Sequence, residues 1–232
     1  MKNNLLFVFI GALSWLLASC GKNELTKPAE VEFSIELKTD GLPAYFELKE
    51  IFVILGEFEL KGKRESATDY YFNKSFENGL YLIPGSPTLM DFDIPQGHYS
   101  EINVNLSIRD DEFPGLLLHF FYFTESGDTV ALAYSIDEKR SFEVTGYNNS
   151  TGTTEVFLNG ARKNFANITI DLQTLAATID RQAIEILAIK LLNDNENPGT
   201  IPTLVINQLS NEALYFMFLE AITQHVQLTF ES

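Results

Sequence analysis

A sandwich of antiparallel β-sheets, followed by a partly helical C-terminal segment, is the architecture this sequence predicts. Three observations lead there. Apolar residues alternate with polar ones over many short runs, the signature of strands with one buried face. Turn-forming residues separate these runs at short spacing. No long helical period interrupts residues 31–172, which excludes an alternation of helices with parallel strands over that stretch.

The two cleanest strands come first. Val31, Phe33, Ile35 and Leu37 alternate with Glu32, Ser34 and Glu36, and Ile102, Val104, Leu106 and Ile108 alternate with Glu101, Asn103, Asn105 and Ser107. Leu116 to Phe123 is apolar on both sides, which predicts a central strand covered on both faces. Weaker runs at Ile51 to Leu60, Leu80 to Ile83, Thr129 to Ile136, Ser141 to Thr145, Thr154 to Leu158 and Asn167 to Leu172 bring the count to about nine. Turn chemistry lies between them, as at Asp40-Gly41-Leu42-Pro43, Pro84-Gly85-Ser86-Pro87, Pro95-Gln96-Gly97, Glu125-Ser126-Gly127-Asp128 and Asn148 to Gly152.

Beyond residue 172 the period changes. Leu175, Ile179, Ala183, Leu187 and Leu191 recur every four residues, so 175–192 predicts an amphipathic helix, with a strand over Ala183 to Leu192 as the alternative. Asn193 to Gly199 is polar loop, and Thr203 to Ile206 is a short strand. Ser210 offers an N-cap for a second helix through Gln224, with Leu214, Phe218 and Ile222 on one face. Val226, Leu228 and Phe230 form a closing strand. The expected organisation is therefore a sandwich over 31–172 and a helical or mixed cap or subdomain over 173–232.

The amino terminus carries a different message. Lys2 precedes an apolar run from Leu5 to Leu17, and small residues Ala18 and Ser19 follow it. The run is short for a membrane-spanning helix, which needs roughly 20 residues, so residues 1–19 read as a cleaved secretory signal. Leu17-Ala18-Ser19-Cys20 resembles a lipobox, the leucine-small-small-cysteine pattern of bacterial lipoproteins. Cys20 is the only cysteine in the chain. The resemblance implies acylation of Cys20 and attachment to the membrane through lipid, with residues 20–30 as tether. Two or more acyl chains hold stably where one holds only marginally. Gly21, rather than aspartate, after the cysteine implies the outer membrane. Lys22-Asn23-Glu24 matches a surface-export signal only in part, so either face of that membrane stays open.

Composition narrows the partners. Cleavage before Cys20 removes 19 of 232 residues and leaves 213, enough for a substantial core. With the only cysteine at the tether, no disulfide forms within the chain. The formal charge is −16, and loss of Lys2 with the signal makes it −17. Nucleic acid is excluded as a partner, because affinity for it rests on neutralising phosphates with Lys and Arg. The charge keeps a tethered domain soluble, with binding of a cation or a basic partner as the alternative reading.

Two segments carry a further resemblance. Leu37-Lys38-Thr39-Asp40-Gly41-Leu42-Pro43 with the run to Leu60, and Ile94-Pro95-Gln96-Gly97-His98-Tyr99 leading into Glu101 to Ile108, resemble parts of a family of Bacteroidota lipoproteins of unknown function. The resemblance implies an immunoglobulin-like or transthyretin-like sandwich and brings no catalytic residues with it. In the second segment Pro95 presets one turn torsion, Gly97 permits a positive one, and Tyr99 can pack at the start of the strand.

Chemistry is sparse. Of the three histidines, His119 is expected as a core imidazole, His98 beside a turn, and His225 near a helix end. No histidine pair has zinc-site spacing, and no Gly-x-Ser-x-Gly nucleophile motif or Gly-rich phosphate loop occurs. Calcium is the one cofactor the acids suggest. Asp91 and Asp93 share a strand face, and Asp110-Asp111-Glu112 forms an acidic loop; either set could supply oxygen ligands, or simply be solvated. Asn193, Asn195 and Asn197 imitate a calcium loop, but Pro198 stands where glycine is needed. Tyr70, Tyr71 and Tyr147 are candidates for a sugar-binding platform. The expected function is a non-enzymatic, outer-membrane-tethered binding or structural module with an envelope protein or glycan as partner. A fimbrillin-like assembly subunit and a carbohydrate-active or carbohydrate-binding accessory protein are the alternatives.

Overall fold

The computed structural model describes residues 26–109, 114–197 and 199–231. The signal, Cys20 and the acidic loop Asp110, Asp111 and Glu112 lie outside the described residues. The described chain is mainly β, with twelve strands and three helices. The strands are β1 (Pro28–Lys38), β2 (Phe46–Arg64), β3 (Tyr70–Leu82), β4 (Thr88–Pro95), β5 (Gly97–Ile108), β6 (Leu116–Phe123), β7 (Thr129–Ile136), β8 (Ser141–Asn148), β9 (Val156–Leu158), β10 (Asn164–Asp171), β11 (Thr203–Ile206) and β12 (Val226–Glu231). The helices are α1 (Leu172–Thr178), α2 (Arg181–Asn193) and α3 (Glu212–Gln224).

These strands hydrogen-bond in the order β11-β7-β6-β2-β5-β8-β12-β10-β1-β4, with β3 also on β2 and β9 also on β5. The sheet is mixed, which corrects the expectation of antiparallel pairing throughout. β1 runs parallel to β10, β7 to β11 and β8 to β12. Local turns enforce antiparallel pairing only between consecutive strands. Here β10, β11 and β12 return from distant parts of the sequence to strands already laid down, and turn chemistry does not constrain their direction.

β2 organises the molecule. Its inward set is Phe46 and Leu48, then Ile51, Val53 and Leu55, then Phe58 and Leu60, so the inward parity changes twice. A register shift accompanies each change, between Leu48 and Glu50 against β6 and between Leu55 and Glu57 against β3 and β5. An extra residue in one strand leaves the ladder locally unpaired and turns the following side chains over. On one edge β2 pairs first with β6 and then with β5. Ile54 marks the switch, accepting from Arg109 N and donating to Gly115 O.

The sheet folds over so that β1, β4 and β12 face β2 and β3. Phe33 lies 5.2 Å from Phe58 and 6.2 Å from Phe230, while Phe92 lies 5.1 Å from Phe58 and 4.7 Å from Phe72. Tyr99 closes the end of this arm. It is fully buried, donates to Pro95 O at 2.6 Å, and fills the space where a Gly62 Cβ would come within 2.5 Å of its ring. Burial pushes its hydroxyl up to about 12. Gly97 has the positive φ that the turn before Tyr99 calls for.

The expected helix over 175–192 is two helices. Asp171 accepts from Gln173 N and Thr174 N at the start of α1, and Asp180 accepts from Gln182 N at the start of α2. Ile179 between them is extended, because an aspartate cap satisfies the free amides of a new helix better than continuation would. For α3 the expected cap Ser210 is displaced by Asn211, which sits in the left-handed region at φ 56 and makes no side-chain cap bond. Its amide instead donates to Val205 O. α3 covers the inner face of β7, where Tyr134 stacks 4.9 Å from Phe218 and 5.7 Å from Tyr215. One apolar core runs from Ala29 to Phe230, so 31–172 and 173–232 share it. β1 starts beside Pro95, and α1 follows the opposite end of β10, which places the start of β1 and the start of α1 at opposite ends of these strands.

Candidate functional site

Asp91 and Asp93 are exposed on β4, opposite Glu32 and Glu30 of β1. The cation beside them belongs to the protein itself. Lys163 Nζ lies 2.9 Å from Asp91, 2.8 Å from Glu32 and 3.2 Å from Glu30. Hydrogen bonds to Glu32, Asp91 and Glu30 hold the Lys163 ammonium well above the ordinary lysine range. Three carboxylates around one ammonium already have their counter-ion, so this pair of aspartates makes a poor calcium cradle. Among the described residues no three His, Cys, Asp or Glu side chains converge as a metal-binding group.

Of the three histidines, only His119 departs from expectation. His98 is exposed, with its ring 4.6 Å from Phe157, and His225 caps the end of α3. His119 is not a core imidazole. The inward row of β6 is Leu116, Leu118, Phe120 and Tyr122, and His119 stands in the half-buried outer row with Leu117, Phe121 and Phe123. β6 is central in the sheet, but only its inner row is fully buried. The sequence suggested two covered faces because the outer row is also largely apolar.

A second ionisable cluster fastens a helix. Tyr122 donates to Glu185, Glu185 accepts from Glu125 N at 3.0 Å, and the Arg181 guanidinium lies 4.7 Å from the centre of the Tyr45 ring. Burial and then the Glu185 bond push the Tyr122 hydroxyl up to about 12. All these bonds join α2 to the β6–β7 hairpin and to the chain entering β2. The cluster is structural.

The outer face of the sheet carries the most chemistry. Val53, Leu55, Leu106, Leu116 and Leu118 line one small apolar cavity of about 20 Å³, so both halves of β2 turn the same side inward. Their outward neighbours therefore form one surface. On one half of it, register places polar residues in three rungs across β3, β2, β5 and β8: Ser75-Glu57-Ser107-Ser141, Asn73-Glu59-Asn105-Glu143 and Tyr71-Lys61-Asn103-Thr145. On its helix half the rows set apolar residues among polar ones, such as Phe52-Leu117-Ser135 and Glu50-His119-Ala133-Val205.

The rungs are cross-linked. Glu59 accepts from Tyr71 Oη at 3.0 Å and from Asn105 Nδ2 at 3.1 Å, and Asn73 Nδ2 donates to both Glu57 and Glu59. Thr145 donates to Asn103 at 2.7 Å, Ser107 and Ser141 share a bond of 2.8 Å, and Asn103 donates to Glu101. The Asn73 bond, followed by Lys139, holds Glu57 below the usual carboxylate range; Asn105 and Tyr71 do the same for Glu59, and Lys63 and Asn103 for Glu101. These groups stay ionised as acceptors and are poorly suited to donate a proton. Asn105 Oδ1 is enclosed with no protein partner among the described residues.

A cleft of about 310 Å³ opens where the two halves meet, lined by Gly56, Glu57, Ser75, Glu77, Ser107, Arg109 and Lys139 among others. Its origin is geometric. Gly56 is one extra residue against β5, and β3 carries Phe76 to Gly79 between the partners of Glu57 and Leu55. The strands are held apart at that point. Tyr71 and Tyr147 are both exposed on this face, whereas Tyr70 is half-buried and donates to Asp93 O at 3.3 Å. Sequence reasoning found the alternation of β5 but not the rungs, since long-range register alone puts Asn73, Glu59 and Asn105 side by side. Searches against protein-family profiles, curated proteins and solved structures find no match to the chain.

Proposed function

We propose that the chain is a lipid-anchored, non-enzymatic binding module of the bacterial envelope, held through Cys20 to the outer membrane, with its ligand on the outer face of the sheet. The observation that carries this reading is the set of three polar rungs. An outward sheet face needs only to be hydrated, but here amides, hydroxyls and carboxylates are locked into fixed positions across four strands. Prepositioned polar groups beside a cleft can fix the orientation of a ligand. The absence of a proton donor among Glu57, Glu59 and Glu101 supports binding over hydrolysis, which needs an acid partner held protonated. A sandwich of the immunoglobulin-like or transthyretin-like kind remains part of the proposal, supported by the aromatic packing between the β1–β4 and β2–β3 arms.

The lipobox resemblance supports the tether, and no described helix is long and apolar enough to cross a membrane. Replacing Cys20 with alanine is expected to move the protein from the membrane fraction to the soluble fraction. Continued membrane retention of the variant would count against the anchor. A strand-accepting assembly subunit is the second reading, favoured by β4 and β11, which end the strand order with one ladder partner each. Oligomer ladders on sizing would support that reading, and a monomer at all concentrations the first.

A further inference from the structure

We propose that the ligand of the outer face is a neutral glycan chain lying across β3, β2, β5 and β8 from Tyr71 to Tyr147, at the Tyr71 end of the rungs; this rests on the reading of that face as the binding surface. The two rings are 57% and 49% exposed. They belong to β3 and β8, which flank β2 and β5, so three strand spacings of about 4.8 Å, or roughly 14 Å, separate their strands. A pyranose offers an apolar C–H face to a ring and hydroxyls at its edge. A tyrosine gives the first a flat apolar surface with a polar tip, and Asn103 and Thr145 of the Tyr71 rung, with Glu59 beside the Tyr71 hydroxyl, suit the second.

Charge decides against the other classes. Glu57 is paired with Lys139 at 3.3 Å and Glu101 with Lys63 at 2.9 Å, while Glu59 is held by three neutral donors. A cationic ligand would have to compete with these partners, and an anionic one would meet ionised carboxylates on a chain of formal charge −16. A hydroxyl need displace nothing. A carboxylate has about four lone-pair sites, so Glu59 can keep its protein donors and accept one more.

The test is calorimetric titration of the full-length protein in detergent micelles with maltohexaose, cellohexaose, xylohexaose, mannohexaose and an uncharged peptide of alternating threonine and valine. At least one hexasaccharide is expected to bind with a Kd near or below 1 mM. Tyr71→Ala and Tyr147→Ala should each weaken it about tenfold or more, and Ile186→Ala on the exposed side of α2 should leave it unchanged. Failure of every sugar, with peptide binding that is lost in the two tyrosine variants, overturns the glycan while leaving the face as the site. Failure of both ligand kinds, or sugar binding indifferent to both tyrosines, overturns the face as well.

Discussion

Phe33→Ala is expected to lower the free energy of unfolding by about 3–5 kcal/mol, the cost typical of deleting a buried phenyl ring from a core. Phe33 is fully buried on β1 and meets Phe58 of β2, Phe92 of β4 and Phe230 of β12. Those four rings join the two arms of the sheet. The neighbouring backbone is held by ladders on both sides of β1, so the site has little freedom to collapse. Since whole domains are stable by only about 5–15 kcal/mol, loss of this ring should remove a large part of the total. Urea unfolding followed by circular dichroism measures it, and a loss below about 1 kcal/mol would mean that the arms do not pack as described.

Gly115→Ala is expected to destabilise by about 3 kcal/mol or more. A Cβ there would lie 2.1 Å from Arg109 O and 2.2 Å from Ile108 Cγ2. A clash with a flexible side chain can relax, but this one is with backbone that is already committed. Arg109 N donates to Ile54 O, Ile54 N donates to Gly115 O, and Gly115 N donates to Ile136 O. The close approach exists because β5 leaves and β6 enters on one edge of β2. Overpacking usually costs about 1–3 kcal/mol, and more where the backbone must shift. The same junction sets the polar rungs and the mixed rows on one continuous face, so a well-tolerated alanine would argue against that continuity. Thermal unfolding of the variant beside the parent protein decides it.

Much of this was legible from residue order. β1 and β5 follow from clean alternation, and their predicted inward residues Val31, Phe33, Ile102 and Val104 are buried. β2 was only partly visible, because two register shifts break its period and leave Ile51 to Leu60 looking like a weak run. The break between α1 and α2 was hidden by a four-residue apolar repeat that continues through Ile179, although Asp180 was in plain sight as a cap. Parallel pairing of β10, β11 and β12 has no local signal at all, since it depends on where distant strands have left an edge.

The site was less legible than the fold. Asp91 and Asp93 do share a strand face, but Lys163 reaches Asp91 from a loop some 70 residues away in sequence. His119 looked internal because its neighbours are apolar, when the outer row of β6 is itself apolar. Tyr71 and Tyr147 could be named as candidate platform residues, yet nothing local says that Asn103 and Thr145 lie between their strands, with Glu59 beside the Tyr71 hydroxyl. Such a constellation is a property of register, and register across β3, β2, β5 and β8 is fixed by the whole core.

A lipid tether to the envelope is the setting proposed for the outer face. Mass spectrometry of the amino-terminal peptide from membrane-extracted protein tests it most directly. Chains that start at Cys20 and carry the added mass of diacylglyceryl and an amide-linked acyl group are the expected result. Mature chains that start elsewhere, or a Cys20 thiol without lipid, would contradict it.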